Sequence, residues 1–171
     1  MKKIIPVILI LGIAGCDSSS SDDNQPSQLL AESQLLLTEN RTLWASAGPA
    51  DYMYKLQIGE STRGCNNEEA VDLLPQLLVS VEDNEVHSVW NLDTQEEVSI
   101  SWLGSWGTME DNFEQLQNWL DQKPVFIGLP FSEDEALPEF HASLGYPLNF
   151  GARYYSGESC NFRYIQIWDF Q

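Results

Sequence analysis

Positive charge is scarce in this chain. Lysine and arginine number 8 against 26 acidic residues, for a net charge of −18. Such a surface repels phosphate backbones and anionic headgroups, which argues against nucleic acid and leaves cations or basic proteins as charge-matched partners. Acidity also simply keeps exported proteins soluble. Histidine is nearly absent: His87 and His141 are the only two, and neither shows ligand spacing to a cysteine, which argues against zinc. No G-x-S-x-G elbow is present and no base is set beside a nucleophile, so both histidines read as surface residues and no enzyme activity is expected. No D-x-D-x-D-G loop occurs either. The acid pairs Glu68-Glu69, Glu96-Glu97 and Glu110-Asp111 read as solvated surface, and Ser132 to Glu139 is the best calcium loop if one exists. No metal site and no cofactor are assigned. Long apolar stretches are also missing. Ile4 to Ile13 spans about ten residues, where a membrane-crossing helix takes about 20.

What is present starts at the amino end. Lys2 and Lys3 precede that apolar run, and the small residues Ala14 and Gly15 follow it. This is the layout of a cleavable secretory signal, residues 1–15. Ile13-Ala14-Gly15-Cys16 resembles the lipobox of bacterial lipoproteins. The resemblance implies cleavage before Cys16, acylation of that cysteine with palmitate-type chains, and anchoring to a membrane of the cell envelope. Each buried methylene contributes about 0.8 kcal/mol, so several chains anchor stably where one does not. Asp17 resembles the inner-membrane retention signal of enteric lipoproteins, while the alternative is the outer membrane. Residues 16–28 hold no apolar side chain after Cys16 and read as the lipidated cysteine with its flexible tether. Residues 29–171 suit a single globular domain. With Cys16 lipidated, Cys65 and Cys160 form an even pair in an exported chain, which reads as a disulfide. Closing a loop of that length is worth about 4–5 kcal/mol in the chain-entropy picture.

Apolar residues at helical spacing (Leu29, Leu30, Leu36, Leu37, Leu43, Trp44) followed by Gly48-Pro49 predict an amphipathic helix over Gln28 to Ala47. Tyr52, Tyr54, Leu56 and Ile58 alternate with Met53, Lys55 and Gln57, predicting a half-buried strand. Gly59 to Leu74 reads as a loop carrying Cys65, with a helical turn around Glu68 to Leu73. Leu77 to Trp90 reads as a hairpin turning at Asp83-Asn84. A further turn over Asp93 to Glu97 and a short strand over Val98 to Trp102 follow. Thr108-Met109-Glu110-Asp111 resembles a capping box with Asp in place of Glu, opening a helix whose apolar face is Met109, Phe113, Leu116 and Leu120. Val125 to Leu129 reads as a strand and Pro130 to Glu139 as an acidic surface loop. Leu148 to Tyr155 and Cys160 to Phe170 read as paired strands, the latter with Cys160, Phe162, Tyr164, Trp168 and Phe170 on one, core-facing side. The sum is an α+β domain: an antiparallel sheet of about four to six strands with two helices packed on it.

Trp44, Tyr52-Met53-Tyr54, the acidic hairpin Val79 to Val86, Thr108 with Phe113, and Gly145-Tyr146-Pro147 stand in an order that resembles a bacterial lipoprotein family of unknown function, over about Trp44 to Phe170. That family implies no catalytic residue. The segment Trp102-Leu103-Gly104-Ser105-Trp106-Gly107 is the candidate contact surface. Trp102 and Trp106 either form a stacking or protein-contact platform or fold back onto the core. These features point to a lipid-anchored envelope protein facing the periplasm or exterior, a non-enzymatic binding or interaction module with an envelope protein as its partner. The alternative is an inhibitor or accessory subunit that sets its acidic loops against a basic protein site. A hydrolase is the third class.

Overall fold

The computed structural model describes residues 28–64, 72–132, 134–156 and 159–171. The predicted signal, Cys16, the tether before Gln28, Cys65 and Gly157 lie outside these residues. The chain begins with helix α1 (Gln28–Ala47), followed by strands β1 (Tyr52–Gly64), β2 (Asp72–Leu73), β3 (Leu77–Glu82), β4 (Glu85–Asn91) and β5 (Glu96–Val98). A 3-10 turn (Ile100–Leu103) leads to α2 (Met109–Asp121), then to β6 (Phe126–Gly128), β7 (Glu139–Phe140), β8 (Pro147–Ser156) and β9 (Ser159–Trp168). All pairings are antiparallel. Seven strands run in the order β5-β4-β3-β1-β9-β8-β6, and β2 and β7 attach to β1 and β8.

The fold is therefore the expected α+β class, with α1 on its expected bounds, but the sheet has more strands than the four to six expected. The extra ones, β2, β5, β6 and β7, are two or three residues long. Periodicity cannot declare itself over so few positions. Gly59 to Gly64 is strand rather than loop, because β9 pairs with β1 as far as Gly64↔Ser159. Leu73 belongs to β2 rather than to a helical turn. The third pairing uses Glu96–Val98, not Val98 to Trp102. Ser99 ends it and caps the 3-10 turn, its side chain accepting from the Ser101 N–H.

Two local codes are realised as read. Asp83 and Asn84 both adopt positive φ, 51° and 62°, as a two-residue hairpin needs. The Thr108 side chain accepts from the Asp111 N–H at 3.1 Å, and the Asp111 carboxylate accepts from the Thr108 N–H at 2.9 Å, closing the capping box.

Both helices lie on one face of the sheet. Leu30, Leu37 and Trp44 of α1 and Met109, Phe113, Leu116 and Leu120 of α2 are buried against Tyr52, Tyr54, Leu56, Val79, Phe150, Ile165 and Ile167. Three sheet tyrosines tie α2 down at both ends. The Tyr52 hydroxyl accepts from the Met109 N–H at 2.8 Å. The Tyr54 hydroxyl donates to the Gly107 carbonyl and accepts from the Asn112 amide. At the far end the Tyr154 hydroxyl donates to the Trp119 carbonyl at 2.8 Å. Trp44 sits at the junction, edge-on to Tyr52, Tyr146 and Phe170, with its indole N–H donated to Glu110 at 2.9 Å. Gly145 turns with φ 79°, and a Cβ there would lie 2.4 Å from the Asn40 carbonyl of α1.

Candidate ligand-binding face

Strand alternation sends every second residue to the face without helices. The register aligns two rows there. One crosses Trp168 (β9), Lys55 (β1), Leu78 (β3) and Trp90 (β4), in which each residue stands opposite the next. The other crosses Gln57 (β1), Gln166 (β9) and Asn149 (β8). Gln76, just ahead of β3, lines the same cleft as this second row. The Gln166 amide donates to Asn149 Oδ1 at 3.1 Å, and the Asn149 amide donates to Glu139 at 2.5 Å. Lys55 pairs with Asp169 at 2.6 Å. Trp90 is 41% exposed, and Met53, on the same face of β1, is exposed too. Trp168 and the amide row line a cleft of about 500 Å³ together with Asp169 and the core-packed Tyr146, Leu148 and Ile167.

The other end of this face is covered. Phe131, in the segment expected to be an acidic surface loop, takes φ 61° and brings its ring to 4.9 Å from Tyr164. Phe162 lies on the other side at 6.0 Å, with the Arg153 guanidinium over both Phe126 and Phe162. Tyr164 is buried, and its ring crosses Gly59, where a Cβ would fall 2.0 Å from it. Burial raises the Tyr164 phenol to about 12. This corrects the expectation that the aromatic side of the final strand faces the core. The core side of β9 carries Ile165 and Ile167 instead. Phe170 does reach the core, because Asp169 turns through φ 50° and breaks the alternation.

The structure separates the two tryptophans of the predicted contact segment. Trp102 lies in the 3-10 turn and is 51% exposed, beside Ile100 at 47%. Trp106 is half-buried, edge-on to the core residue Trp119 at 5.2 Å, and lines a smaller cleft of about 240 Å³ beside the Glu60–Arg163 ion pair. His87 is exposed, 3.7 Å from Glu82. His141 has a structural place: its Nδ1 accepts from the Leu144 N–H, and its ring stacks on Tyr146. Among the described residues no group of three or more His, Cys, Asp or Glu could hold a metal ion, and no helix is long and apolar enough to cross a membrane. The amide row was missed in the sequence. The alternation of Met53, Lys55 and Gln57 was visible there, but it takes the register to place Gln166 and Asn149 beside them.

The architecture defines a small α+β domain whose sheet is packed by helices on one side and presents an indole-and-amide cleft on the other. Residues 36–150 match the family described as "Family of unknown function (DUF6174)", and the chain belongs to that family. The match begins inside α1 and ends inside β8, so β9 lies beyond it. No curated protein and no solved structure matches the chain.

Proposed function

We propose that this protein is a lipid-anchored module of the cell envelope whose role is binding rather than catalysis, with Cys16 as the acylated residue and residues 16–28 as the tether. The observation that carries the binding role is the helix-free face. It holds a cleft flanked by Trp168 and by amide side chains, two of which, Gln57 and Gln76, make no side-chain hydrogen bond to the described residues. A half-buried indole and amides without side-chain partners among the described residues, with the exposed Trp90 on the same face, serve a binding protein better than a merely structural one. Trp102 with Ile100 is a second contact surface, held on a capped turn.

A Cys65–Cys160 disulfide belongs to the same reading. The β1–β9 ladder brings the chain to Gly64 opposite Ser159, each one residue from a cysteine, which supports the pairing. Thiol counting on the denatured, unreduced protein is expected to find none free.

The anchor is tested by metabolic labelling with a fatty-acid probe. Wild type should label and fractionate with membrane, and Cys16→Ser should leave an unlabelled, unlipidated precursor; a labelled, membrane-bound Cys16→Ser protein would refute it. The binding role is tested with a photocrosslinker at Trp90, at Trp102, or at Glu114 on the exposed side of α2. Discrete adducts in intact cells from Trp90 or Trp102 but not from Glu114 are expected. An absence of adducts from both tryptophan positions would remove it.

A further inference from the structure

We propose that the cleft lined by Trp168 and the amide row binds a neutral, polyhydroxylated ligand, an oligosaccharide of about two or three sugar units. The proposal rests on reading the protein as a binding module and names the ligand class of that cleft. Its volume, about 500 Å³, falls within the range of small-molecule sites. Amides make up most of its polar lining: Gln57, Gln76, Gln166 and Asn149, drawn from or beside four strands, joined by Asp169 and Tyr146. A side-chain amide both donates and accepts, the pairing that neighbouring sugar hydroxyls offer in return. The Gln166–Asn149–Glu139 chain of hydrogen bonds holds part of the row in place, while Gln57 and Gln76 keep their side-chain groups unspent among the described residues.

Trp168 supplies the apolar wall. It stacks on no other aromatic ring among the described residues, and its indole N–H donates to none of them. It therefore offers a flat face for the C–H side of a sugar ring and a donor for its hydroxyls. Other ligand classes fit less well. A purely apolar ligand would bury the amides without partners, at a cost on each. An anion meets a chain of net charge −18 and no lysine or arginine among the described lining residues, while the neighbouring Lys55 is engaged by Asp169. A cation meets one lining carboxylate, Asp169, already paired.

The test uses the full lipidated protein in a detergent without a sugar headgroup, titrated with chitotriose, cellotriose and maltotriose at up to millimolar concentration. Chemical shifts of the tryptophan indole N–H groups and the Gln and Asn side-chain amides are followed. At least one trisaccharide should shift Trp168 and the Gln57 and Gln76 amides saturably, leaving Trp102 unmoved. Trp168→Ala and Gln57→Ala should each weaken binding about tenfold or more, and Trp168→Phe less, since it keeps a ring. Gln57→Ala breaks no side-chain hydrogen bond of the described fold and so separates binding from folding. No saturable shift with any of the three sugars overturns the proposal, as does binding that survives both alanine variants. If the Trp90 crosslinks persist while all three sugars fail, the binding role stands and the ligand class is wrong.

Discussion

Single side chains in this protein divide by whether their polar atoms are engaged. Tyr54 is fully buried, and its hydroxyl serves both the Gly107 carbonyl and the Asn112 amide. Tyr54→Phe would leave two buried groups unpaired and should lower stability by about 1–3 kcal/mol, measurable by denaturant unfolding. The tryptophans separate by burial. Trp119 lies in the core, stacked on Phe150 and met edge-on by Trp106. Trp119→Ala should cost about 3–5 kcal/mol. Trp102→Ala, on an exposed turn, should cost less than about 1 kcal/mol. A large loss for Trp102→Ala would mean that its ring supports the fold and is not a contact surface.

At the scale of elements, α2 is held by devices that can be removed one at a time. Thr108→Ala removes the acceptor for the Asp111 N–H but leaves the Asp111 carboxylate bonded to the backbone of residue 108. Half the capping box survives, so the expected loss is about 1 kcal/mol, read as a drop in the unfolding midpoint with unchanged denaturant dependence. The capping box, the Asp83-Asn84 turn and the bounds of α1 were legible in the sequence because each is written in a few neighbouring residues. The length of β1 was not. Glu60 to Gly64 carry no apolar alternation and are strand because β9 lies alongside. The candidate cleft was illegible for a related reason. Its residues come from separate strands, and one-residue uncertainty in register exchanges the faces. Trp168 and Phe170 look equivalent in the sequence, yet the turn at Asp169 sends one to the helix-free face and the other to the core.

Over the whole molecule, the buried tyrosines set an alkaline limit. Burial holds Tyr164 near 12, and it raises Tyr52, Tyr54 and Tyr154 as well, each from an ordinary value of 10.0. The folded state therefore keeps protons that the unfolded chain releases. Their contribution is intact below about pH 10 and falls as pH rises through the folded values. Unfolding experiments should show this part of the stability flat from neutrality to about pH 9 and declining above pH 10. The phenolate absorbance of the buried tyrosines should appear together with the loss of near-ultraviolet dichroism, not before it. Phenolate signal from all six tyrosines at fully native dichroism would contradict the burial described.

The middle of the sheet has a consequence in time. β1 is flanked by β3 on one side and β9 on the other, and Gln171 closes two further backbone bonds to Met53. β3 follows β1 closely, whereas β9 is made roughly a hundred residues later, which predicts slow, high-contact-order folding. A chain that emerges amino end first can build the β1-β3-β4 hairpins early and must then wait with one edge of its longest strand bare. During that interval the Tyr52 to Ile58 stripe lacks the neighbour that completes its layer, and open strand edges recruit other chains. A holding chaperone would matter most in that window, and a peptide copy of β9 supplied in trans would be the sharpest competitor for the vacant edge.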